Sequence, residues 1–422
     1  MNNVLRSMRS FSLTLSTLSL FVAAFFMPFS EACKVTFVIF VAAFAFTRLV
    51  HLPQLTWRKP SRATLPLYLI IAFFLWVTIT MFWTGNTDEG FHVLSKRLTI
   101  LVVPLLALLR VPGERYDYNK LLLTLVLGVL VMSVLRFFIC IPTDLNQDFA
   151  QLRPHWVWTY RGDLPNRLNM QLIHPTIMGV LQCYAIAALA YLKHPLFVKG
   201  KKSATLYYIF FAAVYALFLF LIYASLARMA LIIFFAVSAI VVIVFLWNRH
   251  HRKIMFAAIA LITIAGAAVL LNNPRMENFE WKKMQEFDPR YEQWRCGFMA
   301  ISENNPIIGV GVGDGTDTFN AVHARPTFAK YFFDVESAHC IWLDGTLEFG
   351  IIGCLLLLAF FITNCLHFKQ REQQIFMLTF TAIWILYTLT EPFLSRFAPI
   401  YIFCLTLLIS FWMKEDSDTD KK

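Results

Sequence analysis

Charge is what this sequence is short of. Of 422 residues only 15% are Asp, Glu, Lys or Arg, with 26 acidic against 37 basic side chains. A soluble chain carries roughly a quarter of its residues charged, so a cytosolic enzyme and a disordered protein are both excluded. Cysteine is sparse as well: 8 residues with no CxxC pair exclude a secreted disulfide scaffold, and no His/Cys cluster has zinc spacing. Also missing are the polar–apolar alternation of a membrane barrel and any internal repeat. What is there is apolar: 58% hydrophobic residues, 16% aromatic, and a mean hydropathy of +0.61. Long runs of Phe, Leu, Ile and Val in lipid must satisfy their backbone groups internally, so the fold class is all-α, a polytopic membrane protein.

Taking about 20 apolar residues per span, about twelve segments emerge. They are Phe11 to Phe29, Val35 to Thr47, Leu65 to Trp83, Leu98 to Leu109, Leu121 to Ile141, Leu172 to Leu192, Leu206 to Tyr223, Met229 to Leu246, Ile254 to Leu271, Ile341 to Ile362, Ile375 to Leu389 and Pro399 to Trp412. The fourth is short and contains Pro104, which leaves a re-entrant segment as an alternative. The first has Arg6 and Arg9 before an apolar core, like a signal peptide, but no clean small-x-small site follows and it reads as an uncleaved span. The chain divides into residues 1–271 with nine spans, a loop over 272–340, and residues 341–422 with three spans and a charged tail.

The formal charge of +11 is mostly topogenic rather than a signature of nucleic-acid binding. Alternate short loops carry the basic residues, from Arg48, Arg58, Lys59 and Arg62 through Arg110 and Arg115 to Arg249, Arg252 and Lys253, and the tail from Lys414 to Lys422. That side reads as cytoplasmic, with both termini inside. The opposite face carries the three longer loops, Thr84 to Arg97, Pro142 to Gln171 and Asn272 to Cys340, the last including Trp281, Phe287, Trp294 and Phe298 in stretches that suit amphipathic helices on a membrane surface.

Basic residues on that outer face need a reason. Arg228, in the short turn Tyr223-Ala-Ser-Leu-Ala-Arg228, is either an interfacial anchor or a ligand for an anion. Arg290 starts a loop helix, with Arg295 one turn on. His339 precedes a span in which Asp344 and Glu348 share one face at i, i+4, and burying two carboxylates there costs several kcal/mol unless they are paired or at the water boundary. Arg153, His155, Trp156, Trp158, Tyr160, Arg161 and Arg167 mix cations with flat rings, a surface that suits sugars and phosphates or an interfacial aromatic belt. The run Asn305-Pro-Ile-Ile-Gly309-Val-Gly311-Val-Gly313-Asp-Gly315 lacks the Walker Lys-Ser/Thr; it reads as a tight turn for close backbone packing, with a phosphate-facing nest as the minor alternative. Cys296 and Cys340 lie where an oxidising compartment can reach them, but nothing in the sequence supports a disulfide between them.

Arg290-x-x-x-Trp294, the Asn305-Pro-Ile-Ile-Gly-Val-Gly311 turn, and His339 followed by Gly350-Ile-Ile-Gly353 together resemble the O-antigen ligase and polymerase superfamily of bacterial envelope glycosyltransferases. The resemblance is specific from about Ser225 to Gly353, and the single dominant late outer loop is most similar to the ligases. It departs at Cys340, where the family commonly has Asn, Ser or Gln. The resemblance implies a GT-C-like fold, a donor polysaccharide on undecaprenyl diphosphate, lipid A-core as acceptor, and metal-independent, inverting transfer with no cofactor at the outer face of the bacterial inner membrane. It implies His339, Arg228 and Arg290 as catalytic residues, with Arg295, Asp344, Glu348, Arg153 and Arg161 as contacts for diphosphate, sugar or acceptor. An O-antigen polymerase or a protein O-oligosaccharyltransferase of the same superfamily stays open, and a lipid-linked glycan transporter is the rival of another class. The sequence is silent on oligomeric state, and on whether His339, with an ordinary pKa near 6.5, serves as a base or as a neutralising cation.

Overall fold

The computed structural model describes residues 2–140, 174–192, 201–225, 227–247, 252–271, 289–328, 337–366, 368 and 370–419. Five helices come first: α1 (Asn2–Phe26), α2 (Ser30–Val50), α3 (Leu65–Ile79), α4 (Thr87–Leu108) and α5 (Tyr118–Cys140). Four follow the Pro142 to Gln171 stretch: α6 (Pro175–Leu192), α7 (Lys201–Ala224), α8 (Arg228–Trp247) and α9 (Arg252–Leu271). The 272–340 segment contributes α10 (Pro289–Ser302) and α11 (Gly315–His323), and the chain ends with α12 (Ile341–Asn364), α13 (Arg371–Thr388) and α14 (Phe397–Thr419). The protein is an all-α polytopic membrane protein, with 10 helices among the described residues long and apolar enough to cross a membrane. The described part of each of the twelve apolar segments expected from the sequence falls mainly on a helix, but the helices carrying Met229 to Leu246 and Ile375 to Leu389 are not among those 10.

Two spans form the middle of the bundle. The α6 window and the α14 window are each 89% buried within the protein, whereas α9 is only 11% buried and leaves most of its apolar surface to lipid. Small residues explain the position of α6: a Cβ at Gly179 would stand 2.4 Å from the Ala230 Cβ, so glycine is what lets α8 approach. At one end of the bundle a two-residue pairing, Thr56 with Arg110 and Trp57 with Leu109, ties two loops together. Here the basic loops are less solvated than their composition suggests. Arg48 is buried and makes a bidentate pair with Glu114 at 2.6 and 2.8 Å, Arg58 pairs with Glu415, and Lys414 donates to the Thr363 carbonyl at 2.8 Å. The expected charged tail therefore begins as the last turns of α14.

The fourth span differs from the sequence reading. It is not a short re-entrant piece from Leu98 but a 22-residue helix starting at Thr87, with Pro104 inside it. Asn86 caps it by accepting from the Glu89 amide at 3.2 Å, and Asp88 and Glu89 sit in the first turn where the helix dipole favours acid.

The helix that carries Asp344 and Glu348 is broken. Gly350 has φ 73° and ψ 176° inside α12, a backbone state that only glycine adopts readily. A break at membrane depth frees backbone groups that must find partners. The Leu347 carbonyl accepts from Val310 N at 2.8 Å, the Glu348 carbonyl from Gly311 N at 3.0 Å, and the Phe349 carbonyl from the Trp76 indole at 2.7 Å. On the far side, Ile351 N donates to the Pro306 carbonyl at 2.8 Å. The glycine run thus docks edge-on into the break: a Cβ on Gly309 would lie 2.5 Å from the Glu348 carbonyl oxygen. From Pro306 to Gly311 the run serves close packing.

Candidate functional site

The interlock between loop and helix builds a cavity of about 340 Å³ at the end of the bundle where α10 and α11 lie. Its walls come from four places. The first half of α4 gives Glu89, Val93, Lys96 and Arg97; α11 gives Gly315, Thr316 and Phe319; the first half of α12 gives Ile341, Asp344, Leu347 and Glu348; and the residues before α14 give Leu394, Ser395 and Arg396. Ser337 and His339 close it.

Asp314 fastens α4 to this assembly, accepting from the Gly85 and Asn86 amides at 2.6 and 2.7 Å. Arg97 then holds the walls together. Its guanidinium meets Glu348 at 2.8 Å while its Nε donates to the Leu394 carbonyl at 3.3 Å, so one buried side chain spans three of the four walls. The pairing answers how a carboxylate at position 348 is tolerated within a span.

His339 is the non-glycine residue with positive φ among the described residues, at 52°. Such a conformation costs on the order of 1–3 kcal/mol and persists only where its surroundings impose it. Three consecutive amides supply the constraint. Ala338 N donates to Asp344 Oδ1 at 2.7 Å, His339 N to Ser337 Oγ at 3.2 Å, and Cys340 N to Asp344 Oδ2 at 3.3 Å. Asp344, expected to contact substrate, spends both oxygens on the backbone that aims the ring.

Burial, together with the nearby guanidiniums of Arg290 and Arg396, pushes the His339 imidazole down to about 4. Both effects favour the neutral ring over the cation. Arg290 sits in the first turn of α10, which opens at Pro289 as proline at a helix start should, and meets Glu391 at 3.6 Å.

The other expected residues are placed elsewhere. Arg228 begins α8, and neither it nor Arg290 is among the residues lining the cavity. Arg295 pairs with Glu292 at 2.9 Å and stacks over Phe328 at 5.4 Å, which fixes it to the small core of the 272–340 segment formed by Cys296, Ala300, Phe319, Val322 and Phe328. Arg153, Arg161 and the aromatic residues around them lie outside the described residues, as do Trp281 and Phe287. Cys296 and Cys340 are both buried free thiols, so the disulfide considered from the sequence is not formed. Tyr291, Trp294 and Phe298 form an exposed aromatic stripe along α10. Sequence reasoning missed Lys96, Arg97, Glu391 and Arg396; the clue available was that Lys96-Arg97 and Arg396 are basic residues outside the alternate basic loops.

Residues 211–358 match the O-antigen ligase family. The matched segment supports a relation to the O-antigen ligase superfamily over that part of the chain. No curated protein matches it. The family segment runs from within α7 into α12 and takes in Arg228, Arg290, His339, Asp344 and Glu348. The match supports a glycosyltransferase-like membrane enzyme, and the family it names acts on lipid-linked polysaccharide. Two cavity walls, the one from α4 and the one before α14, lie outside the matched segment.

Proposed function

We propose that this protein is an O-antigen ligase. It transfers O-antigen polysaccharide from undecaprenyl diphosphate to lipid A-core at the periplasmic face of the bacterial inner membrane, by inverting, metal-independent chemistry with both termini in the cytoplasm. The observation that carries the reading is His339, held in a forced backbone state at the wall of a polar cavity and flanked by the guanidiniums of Arg290 and Arg396.

An acceptor hydroxyl oxygen attacks the anomeric carbon of the donor from the face opposite the diphosphate. The new carbon–oxygen bond forms as the bond to the diphosphate oxygen breaks, and His339 takes the hydroxyl proton. The departing diphosphate carries the electron pair away as negative charge, which guanidiniums accept bidentately in a site of low dielectric. Arg290 and Arg228 have that role. Donor binding also couples to the base: a diphosphate beside Arg290 offsets the field that holds the imidazole low and raises its basicity when a proton has to be removed.

The purified protein, given lipid-linked glycan and rough lipopolysaccharide with chelator present, is expected to convert the acceptor into a ladder of heavier glycolipids. Movement of the lipid-linked glycan across a bilayer with no covalent product would support a transporter and overturn the ligase.

A further inference from the structure

Lys96 is a half-buried charge for which the described residues offer no partner. It lies nine residues into α4, about 13 Å along the helix from Thr87 at 1.5 Å per residue. A cation at that depth of a span is costly unless it pairs or faces water or a ligand. Its neighbour Arg97 is paired with Glu348; Lys96 makes no ion pair or hydrogen bond among the described residues, and its side chain lines the cavity.

The charges of the cavity wall can be followed one by one. Arg97 and Glu348 neutralise each other, and Asp344 is consumed by two backbone amides. Glu89 sits at the mouth in the first turn of α4, seven residues and two turns above Lys96 on the same stripe. What is left facing the space beside His339 is Lys96 from α4 and Arg396 from the opposite wall, neither in an ion pair among the described residues. The first turn of α11, Gly315 and Thr316, opens onto the same space without a side-chain cap.

We propose that Lys96 and Arg396 form an anion subsite within the cavity that binds a phosphate group of a substrate. This rests on the ligase reading and deepens it. Two sources share that chemistry: the diphosphate of the donor, and a phosphate substituent on the acceptor glycan next to the attacked hydroxyl. A compact ammonium suits either, since it acts as a point charge with three rotatable donors and does not demand the fork geometry of a guanidinium. The subsite is built from the part of the chain outside the family match, so it is also where this protein can select its own substrate.

The test uses the full chain in detergent or proteoliposomes, with steady-state transfer measured against each substrate in turn. Lys96→Ala is expected to raise the KM for one substrate about 10-fold or more, the size of a charge-assisted contact, with kcat within about twofold, and Lys96→Arg to restore it. Phosphatase treatment of the acceptor separates the sources. If the acceptor supplies the anion, treated acceptor shows the raised KM with wild-type protein and Lys96→Ala adds nothing further; if the donor supplies it, the donor KM rises whatever the treatment. Unchanged KM values for both substrates, or a loss confined to kcat, would overturn the subsite. A second measurement needs neither variant folding nor ligase activity: inorganic pyrophosphate is expected to protect Lys96 of the wild-type protein from amine acylation, read by mass spectrometry. Unaltered Lys96 labelling overturns the subsite while leaving the ligase reading standing, and failure of transfer with protection intact overturns the ligase reading alone.

Discussion

His339 is aimed by its backbone. The ring is carried on a left-handed residue whose flanking amides are gripped by Asp344, so the carboxylate acts on geometry and not on the proton. Asp344→Asn keeps the shape but replaces one carboxylate oxygen by a donor, which sets an N–H against an amide N–H and removes a charge-assisted bond worth about 1.5–3 kcal/mol. The expected outcome is a folded protein with transfer reduced by about 10-fold or more and the KM values little changed; measured kcat and KM check this. The acid limb of kcat/KM gives a second prediction. A base held down to about 4 stays deprotonated and competent as pH falls until that region, where protonation removes it. Two guanidiniums help to hold it down, so Arg396→Gln moves the acid limb upward toward the ordinary histidine range, and a pH–rate profile of the two proteins reads the difference.

Among the elements, α12 matters most because it is interrupted. Its first half presents Ile341, Asp344, Leu347 and Glu348 to the cavity, and the break at Gly350 ends that half where the Asn305 to Gly315 segment docks. A Cβ at Gly350 would stand 2.1 Å from the Ile307 carbonyl oxygen. Gly350→Ala therefore meets fixed backbone as well as a disfavoured φ, and is expected to cost at least about 1–3 kcal/mol and to lower the melting temperature in detergent. The docking role of the glycine run is legible in the sequence, since the motif lacks the residues that make a phosphate loop. The start of α4 is not. Asp88, Glu89, His92, Lys96 and Arg97 make Thr84 to Arg97 look like a loop, and the partner that makes Arg97 tolerable, Glu348, is far away in sequence. A local window has no access to a tertiary ion pair. For the same reason Arg396 does not stand out from its neighbours, and Arg48, Arg58 and Lys414 read as solvated although all three are held by distant partners.

At the scale of the whole molecule, hydropathy is enough to find most of the apolar helices and the all-α class, because a chain in lipid has few alternatives. Which helices are central is not visible there: α6 and α14 are inside and α9 outside, although α9 is the most apolar of the three. The proposed orientation puts the cavity outside and the Arg48–Glu114 pair inside. Introduced thiols test it: Ser395→Cys, exposed at the cavity rim, is expected to react with a membrane-impermeant maleimide on spheroplasts, and Lys59→Cys, exposed at the opposite end, only after lysis. The reverse pattern would place the cavity in the cytosol, away from the acceptor. The whole account turns on group transfer at His339, and the most direct measurement is the rate at which purified wild-type and His339→Ala proteins ligate lipid-linked glycan to lipid A-core in vitro. The wild-type protein is expected to give the full product ladder, and His339→Ala to fold and insert normally with transfer reduced by about 10²–10⁴-fold. An undiminished ladder from His339→Ala would contradict the account.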